Sequence, residues 1–250
     1  MPEFKAFCTV SISPVRAEGK DQAEIVTQLL FGEVVEVLEI NEPWIKIQTL
    51  ADGYEGFIDI KHVQKTSEKE ARRWLDGLSY LKDREKTLET PWGDQRICRG
   101  SFIPENLASF TIGSYSFTLV EGISENKSTL EEIALDYLNT PYLWGGKSPY
   151  GVDCSGFTQV IYRLFDRNLP RDASEQVHVG AEIDFEDMEV GDLAYFENDS
   201  GKITHVGIVL GNQKIIHASG HVRIDKLTTE GIVHEISQIL THRLNCIKRL

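Results

Sequence analysis

The pattern of apolar residues changes near residue 126, and this change limits the folds that the chain can adopt. Before it, apolar residues occur in short strand-like segments, such as residues 44–49 and 56–60, which flank Asp52-Gly53. An Asp-Gly pair between two such segments is typical of a β-hairpin. After it, two segments with the apolar spacing of helices precede several strand-like segments. This order predicts an all-β part followed by an α+β domain.

The first part predicts small β-modules. Strands are expected at residues 4–10, 13–15, 34–40, 44–49 and 56–60. So many short strands and turns predict a small barrel over residues 1–65. The next stretch is rich in charge and partly helical in pattern, and residues 84–125 return to strand-like sequence. Residues 66–125 are therefore interpreted as a connecting segment and a second, weaker β-module.

Residues 126–250 form the predicted α+β domain. Ser128 and Glu131 have the spacing of a capping box at a helix start. One face of that helix would carry Leu130, Ile133, Ala134, Tyr137 and Leu138. A glycine-rich loop at 145–151 leads to a second helix. Strands are expected after it at residues 193–197, 205–210, 214–219 and near 242–249.

One cysteine, Cys154, differs from Cys8 and Cys246 in its surroundings. The four cysteines are scattered singly, and Cys8 and Cys246 lie among apolar residues, which favours free thiols. Cys154 lies at the expected start of the second helix, between Asp153 and Ser155. The unpaired N–H groups and the dipole of a helix start favour a thiolate. Cys154 is therefore a candidate nucleophile with a lowered pKa; the alternative is a buried structural cysteine.

Two histidines on neighbouring strands could serve that cysteine. A three-residue loop follows Leu210, so Leu210 would pair with Lys214. Gly207 would then face His217, and His205 would lie on the same face of the sheet as His217. A two-residue loop would put the histidines on opposite faces. The geometry favours His205 as the base and His217 as its orienting partner, although either alone could be a half-buried structural histidine.

A set of short motifs occurs in a fixed order in the second half of the chain. The motifs are Thr140-Pro-Tyr-Leu-Trp-Gly-Gly146, Gly151-Val-Asp-Cys-Ser-Gly-Phe157, Leu169-Pro-Arg-Asp-Ala-Ser-Glu-Gln176, Gly191-Asp-Leu193, His205-Val-Gly-Ile208 and His217-Ala218. Together they resemble the NlpC/P60 cysteine peptidases. The resemblance implies a papain-like catalytic domain over residues 126–250.

The resemblance also implies roles for individual residues. Cys154 would be the nucleophile, His205 the base and His217 the third member of the triad. Tyr142 and the backbone N–H of Cys154 would form the oxyanion hole. The SH3-like pattern around Leu-Phe-Gly-Glu and Asp-Gly-Tyr-Glu-Gly-Phe narrows the match to γ-D-glutamyl-L-diamino-acid endopeptidases. These enzymes cleave murein tripeptides or tetrapeptides with a free N-terminal L-alanine during recycling, and meso-diaminopimelate and lysine stay open at the third position.

Such a substrate carries the free α-carboxylate of its D-glutamate. Candidate partners are the N–H groups at the start of the Cys154 helix, the hydroxyls of Ser155 and Ser174, and Arg171. By resemblance, Asp153 and Ser174 line the site and Trp144 forms an apolar wall. The alternative for Arg171 is a solvated surface charge or a salt bridge to Asp172 or Asp166.

The substrate also carries a free amine two residues before the cut. The first SH3-like module is the expected source of its partners. Tyr54 would pack on the alanine or bind the amine, and Glu33 or Glu55 would provide a counter-charge. The alternative is that Tyr54 and Glu55 are ordinary turn residues and Glu33 a solvated charge at a strand end.

Charge and hydropathy exclude several classes of partner. The net charge of -13 argues against nucleic acid, whose phosphates would be repelled. Apolar runs such as residues 206–210 are too short to cross a bilayer, so no membrane partner is expected. No leader-like pattern begins the chain, which favours the cytoplasm if Met1 is the native start, and the periplasm or secretion if a leader has been removed. No cofactor is expected.

Other functions remain as alternatives. Cys154, His205 and His217 could bind zinc with Asp192 or water as the fourth ligand, although no metal-binding motif accompanies them and no metal is expected. A catalytically inactive protein could bind cell-wall peptide. The same fold could also house a cell-wall amidase or peptidase that needs no free amine, or an acyl-transfer enzyme that acts on lipids.

Overall fold

The computed structural model describes residues 4–122 and 127–250. They separate into two compact units, Met1–Lys127 and Ser128–Leu250. The first is mostly strands, and the second combines helices with an antiparallel sheet. The predicted order, an all-β part followed by an α+β domain, is confirmed. No helix within the described ranges is long and apolar enough to cross a membrane.

A seven-stranded antiparallel sheet begins the first unit. Its strands are β1 (Phe4–Cys8), β2 (Ile12–Arg16), β3 (Ile25–Leu30), β4 (Val34–Asn41), β5 (Trp44–Thr49), β6 (Glu55–Asp59) and β7 (Val63–Thr66). Their order is β3-β2-β6-β5-β4-β1-β7. The predicted hairpin is confirmed, since β5 pairs with β6 and Gly53 has the positive φ that the turn requires. Strand β3 was not predicted. Its last four residues are all buried, so it lacks the alternation of buried and exposed residues that marks a half-buried strand.

The rest of the first unit, as far as the structure describes it, adds one α-helix and six strands. They are α1 (Glu68–Asp76), β8 (Leu78–Tyr80), β9 (Glu85–Thr90), β10 (Gly93–Cys98), β11 (Phe102–Pro104), β12 (Ser109–Ile112) and β13 (Tyr115–Leu119). Ser67 and Glu70 form a capping box that begins α1. Trp74 packs edge-on against Phe7 of β1, and Phe31 packs against Phe117 of β13. One apolar core thus joins both parts of this unit, and the division into modules at residue 65 stays a prediction.

The second unit carries three helices and nine strands. They are α2 (Leu130–Leu135), β14 (Lys147–Ser148), β15 (Gly151–Val152), α3 (Cys154–Arg163), α4 (Ala173–Gln176), β16 (Ala181–Ile183), β17 (Leu193–Glu197), β18 (Ile203–Leu210), β19 (Lys214–Ser219), β20 (His221–Thr228), β21 (Gly231–Val233) and β22 (Leu240–Arg249). Seven strands form a sheet in the order β16-β22-β17-β18-β19-β20-β21. Because β21 also pairs with β22, six of these strands close into a ring. Helix α3 packs on β18 and β19.

The expected start of the first helix is wrong by one residue. Thr129, not Ser128, caps α2, and its capping-box partner is Glu132. Both pairs have the same sequence spacing, so the motif alone does not distinguish them. The helix also ends at Leu135, earlier than expected. Leu138, placed on its apolar face by the sequence, is exposed.

Candidate active site

The aspartate before Cys154 organises the start of α3. Asp153 caps the helix by accepting a hydrogen bond from the N–H of Gly156 at 2.7 Å, and its other oxygen accepts from the N–H of Gly145 at 2.8 Å. At Gly156, a side-chain carbon would lie 2.2 Å from the carbonyl oxygen of Gly146, so only glycine fits. These bonds hold the glycine-rich loop against the helix and place Cys154 as its first residue.

The environment of Cys154 raises the pKa of its thiol. The residue is 7% exposed, and burial, followed by the charge of Asp153, raises this pKa to about 11. A hydrogen bond from the N–H of Val206, the charge of Arg171 and the N–H of Ser155 act in the opposite direction. The expected lowered pKa is therefore wrong, because the cost of burying a charge exceeds the benefit of the helix start. The free site holds a thiol that needs a base.

The two histidines lie together as the register predicts. Gly207 pairs with His217, and Leu210 pairs with Lys214. The Nε2 atom of His205 lies 2.8 Å from Nδ1 of His217. A side-chain carbon at Gly207 would lie 2.9 Å from Cβ of His217, so glycine leaves space for the imidazole pair. The hydrogen bond to His217 leaves Nδ1 of His205 as the nitrogen available to a thiol.

A third strand extends this pair to a carboxylate that the sequence analysis missed. Nε2 of His217 lies 3.0 Å from Oδ2 of Asp225 on β20. The same oxygen accepts a hydrogen bond from Nε of Arg223 at 2.8 Å, and Oδ1 accepts from the N–H of Glu235 at 2.9 Å. The alternation of apolar and polar residues in Val-Arg-Ile-Asp-Lys-Leu, after the Ser-Gly-His turn, is the signal that predicts β20.

His242 covers one face of the base. Its ring stacks on that of His205 with a centroid distance of 4.2 Å and an interplanar angle of 25°. Burial lowers the pKa of His242 to about 4, and burial lowers the pKa of His205 well below its usual value. Both rings are therefore neutral near pH 7, and His205 is able to accept a proton. His242 was expected only as part of a strand.

Tyr142 lies within electrostatic range of Cys154. Burial and then the charge of Cys154 raise the pKa of Tyr142 to about 12, so its hydroxyl remains a hydrogen-bond donor at neutral pH. Cys154, as the first residue of α3, has an N–H without an intrahelical acceptor. These two donors are the expected oxyanion hole, and that role stays a prediction. Trp144, the expected apolar wall, is 59% exposed.

Arg171 is buried in an ion pair. Its guanidinium donates to both oxygens of Asp153 and, at 2.9 Å, to Oγ of Ser155. It is therefore neither a solvated charge nor part of a surface salt bridge, because its partner is the buried cap of α3. Ser174 is half-buried on α4. Direct binding of the substrate carboxylate by Ser155, Ser174 or Arg171 stays a prediction.

Replacing Arg171 by alanine is expected to destabilise the second unit. The change leaves Asp153 as a buried charge without its guanidinium, and breaking such a pair costs about 3–5 kcal/mol. Urea denaturation measures the free energy of unfolding. Arg167→Ala is the matched control, because Arg167 is an exposed arginine of the same unit. If the two variants lose equal stability, the buried pair does not hold the loop.

The candidate residues of the first unit have distinct surroundings. Glu33 is fully buried and accepts a hydrogen bond from the N–H of Leu30 at 3.1 Å, so it is not a solvated charge at a strand end. Tyr54 follows the hairpin turn and is half-buried. Glu55 is exposed and pairs with Lys46 at 2.8 Å. Their roles in binding an amine stay predictions.

The alternative zinc site needs ligands that the structure does not bring together. Asp192 accepts hydrogen bonds from Arg249 at 2.8 Å and from the N–H of Glu189 at 2.7 Å. In the part of the chain that the structure describes, no group of three or more His, Cys, Asp or Glu residues is arranged to hold a metal ion. The geometry around Cys154 instead fits a thiol and an imidazole base.

Comparison with known proteins agrees with this arrangement. Residues 139–241 match the NlpC/P60 family, and residues 15–63 match the bacterial dipeptidyl-peptidase SH3 domain. The γ-D-glutamyl-L-lysine dipeptidyl-peptidase of Bacillus subtilis is 29% identical over 78% of this chain and 72% of its own length. The dipeptidyl-peptidase 6 of Lysinibacillus sphaericus is 28% identical over 86% of this chain and 88% of its own.

Solved structures support the fold. The crystal structure of an NlpC/P60 family protein from Bacillus cereus covers 98% of this chain and 99% of its own, with a TM-score of 0.77 at 21% identity. An NlpC/P60 endopeptidase from Photobacterium damselae covers 89% of this chain with a TM-score of 0.69 at 15% identity. At these identities the likeness concerns the fold alone.

Proposed function

We propose a function from the premise that this chain is a cysteine peptidase of the NlpC/P60 family with a bacterial dipeptidyl-peptidase SH3 domain. On this premise, it hydrolyses the γ-D-glutamyl-L-diamino acid bond of murein peptides. The substrate has a free N-terminal L-alanine, and the diamino acid is meso-diaminopimelate or lysine. Peptidoglycan-derived peptide is the substrate class of the family. The finer specificity, the recycling role and the cytoplasmic location belong to the proposal.

One observation supports the finer specificity. Two relatives named as dipeptidyl-peptidases match this chain across both units, over 78% and 86% of its length. A catalytic domain alone would match only the second unit. The match of residues 15–63 to an SH3 domain of the dipeptidyl-peptidase type supports the proposed free-amine requirement over a cell-wall peptidase without one.

The proposed reaction follows from the neutral imidazole of His205 and the neutral thiol of Cys154. Nδ1 of His205 accepts the thiol proton of Cys154 as the sulfur attacks the γ-carbonyl of D-glutamate. The resulting oxyanion is held by the N–H of Cys154 and the hydroxyl of Tyr142. The imidazolium of His205 then donates its proton to the departing α-amine of the diamino acid, and a thioester remains. Water, deprotonated by His205, attacks the thioester and releases L-Ala-D-Glu and the thiol.

The test is digestion of L-Ala-γ-D-Glu-meso-diaminopimelate and its lysine analogue, with products identified by mass. We expect L-Ala-D-Glu and the free diamino acid. Acetylation of the N-terminal amine is expected to lower kcat/KM about ten- to a hundredfold, the value of a lost buried charge-assisted hydrogen bond.

Variants of the first unit provide the control for this result. Tyr54→Ala or Glu33→Gln should reduce the discrimination between free and acetylated peptide, whereas Glu18→Gln, at an exposed pair with Lys20 in the same unit, serves as the comparison. Equal cleavage of both peptides by the wild type would remove the free-amine requirement. The remaining function would then be that of a less selective cell-wall peptidase.

A further inference from the structure

We propose that Asp225 is a positioning residue that determines, through His217, which ring nitrogen of His205 receives the proton of Cys154. This inference rests on the proposed function only in that His205 is the base. The three side chains come from adjacent strands, β18, β19 and β20. His217 pairs with Arg223, and Ile215 pairs with Asp225, so the imidazoles and the carboxylate share one face of the sheet.

The surroundings of Asp225 keep its carboxylate ionised. It is 1% exposed, and burial alone would raise its pKa. Hydrogen bonds from His217, Arg223 and the N–H of Glu235 outweigh burial and hold the pKa of Asp225 well below its usual range. An ionised carboxylate accepts hydrogen bonds and donates none. Nε2 of His217 must therefore carry the proton of that hydrogen bond.

The proton on His217 determines the tautomer of His205. Burial lowers the pKa of His217 despite the opposing effect of Asp225, so its ring is neutral and carries one N–H. With that N–H directed to Asp225, Nδ1 of His217 is an acceptor. Nε2 of His205, 2.8 Å away, must donate to it. The lone pair of His205 then lies on Nδ1, the nitrogen that the thiol of Cys154 requires.

Without this carboxylate, the direction of the hydrogen bond between His217 and His205 is not determined. If His217 carried its proton on Nδ1, Nε2 of His205 would become the acceptor. Nδ1 of His205 would then hold a proton and could not accept another. Asp225 also places a negative charge where it stabilises the imidazolium formed on His205 during attack. Because Asp225 is buried behind His217, it does this without contacting the substrate.

The first test reads the wild-type protein and needs no substrate. Ring 15N shifts of the wild-type protein, labelled at histidine and assigned with His205→Asn and His217→Asn, distinguish protonated from unprotonated ring nitrogens. We expect Nε2 protonated and Nδ1 unprotonated on both residues near pH 7. The reverse pattern on His205 would overturn the proposal even if the peptide proposed as substrate is cleaved.

The second test is Asp225→Asn, which keeps the shape and removes the charge. We expect kcat for the murein peptide to fall on the order of ten- to a hundredfold with KM little changed, because a charge-assisted hydrogen bond is lost away from the substrate. The alkylation rate of Cys154 by iodoacetamide, followed by mass, should fall as well. The 15N shifts of His205 should move toward a mixture of tautomers, and Asp225→Glu should restore part of the loss.

Asp192→Asn is the matched control. Asp192 is also a buried carboxylate of the second unit that accepts hydrogen bonds from an arginine and a backbone N–H. This variant should lose stability without changing the 15N shifts of His205 or the alkylation rate. Unchanged shifts and a kcat within about twofold of wild type in Asp225→Asn would overturn the proposal. Failure of the wild type to cleave the tripeptide would count against the proposed substrate alone, since shifts and alkylation are measured without it.

Discussion

Cys154→Ala is expected to abolish peptide hydrolysis while the protein stays folded. In the proposed mechanism the change removes the sulfur that attacks the γ-carbonyl, and no other group at the start of α3 can form the thioester. The cost in stability is small, on the order of 1 kcal/mol, because only one buried heavy atom is lost. Product formation from the murein tripeptide and the urea midpoint measure the two effects.

Cys246→Ala provides the comparison for this variant. Cys246 is a partly exposed free thiol on β22 of the same unit, and it should be dispensable for turnover. Iodoacetamide should inactivate the wild type and the Cys246→Ala variant alike. Because burial raises the pKa of Cys154 to about 11, alkylation should accelerate as the pH rises above 8. Retained hydrolysis in Cys154→Ala would reject the cysteine-peptidase mechanism for this chain.

His205→Ala is expected to lower kcat/KM on the order of a thousandfold or more, as the loss of a general base from a triad does. The thiol of Cys154 would have to ionise without help, against the burial that raises its pKa. The loss should appear mainly in kcat, because the imidazole acts on the proton and not on the binding of the peptide. Steady-state kinetics on the tripeptide check both parameters.

His217→Gln should cost less activity than His205→Ala, since in the proposed mechanism His217 orients the base and does not transfer the proton. His178→Ala is the control histidine: it is exposed in the same unit. If His217→Gln and His205→Ala were equally damaging, the two imidazoles would act as one unit, and the division into base and orienting partner would be wrong.

The sequence by itself determined the local geometry of this site. The Asp-Cys-Ser-Gly motif contains its own helix cap, because Asp153 and Gly156 are three residues apart and bond within one turn. The three-residue loop after Leu210 determined the register, and the register placed His205 beside His217. Both features depend on residues close in sequence, where spacing translates directly into geometry.

Only the tertiary structure decided the features that depend on burial and on distant partners. Arg171 pairs with Asp153, eighteen residues away, although the sequence predicted either a contact with the substrate carboxylate or a surface charge. His242 reaches His205 because β22 returns beside β17. The buried run at the end of β3 lacks the alternation from which strands are recognised.

The protonation state of the site is another feature that only the tertiary structure decided. A helix start favours a thiolate, and the sequence shows where that start lies. How deeply the thiol is buried depends instead on the packing of α3 against β18 and β19. That depth raises the pKa of Cys154 and lowers the pKa of His205. Asp225 lies beside His217 because β20 pairs with β19 in the folded sheet. The proximity of His205 and His217 was thus predictable from spacing. The charge states of Cys154 and His205, and the contact of His217 with Asp225, depend on a solvent-excluded interior that only the folded chain creates.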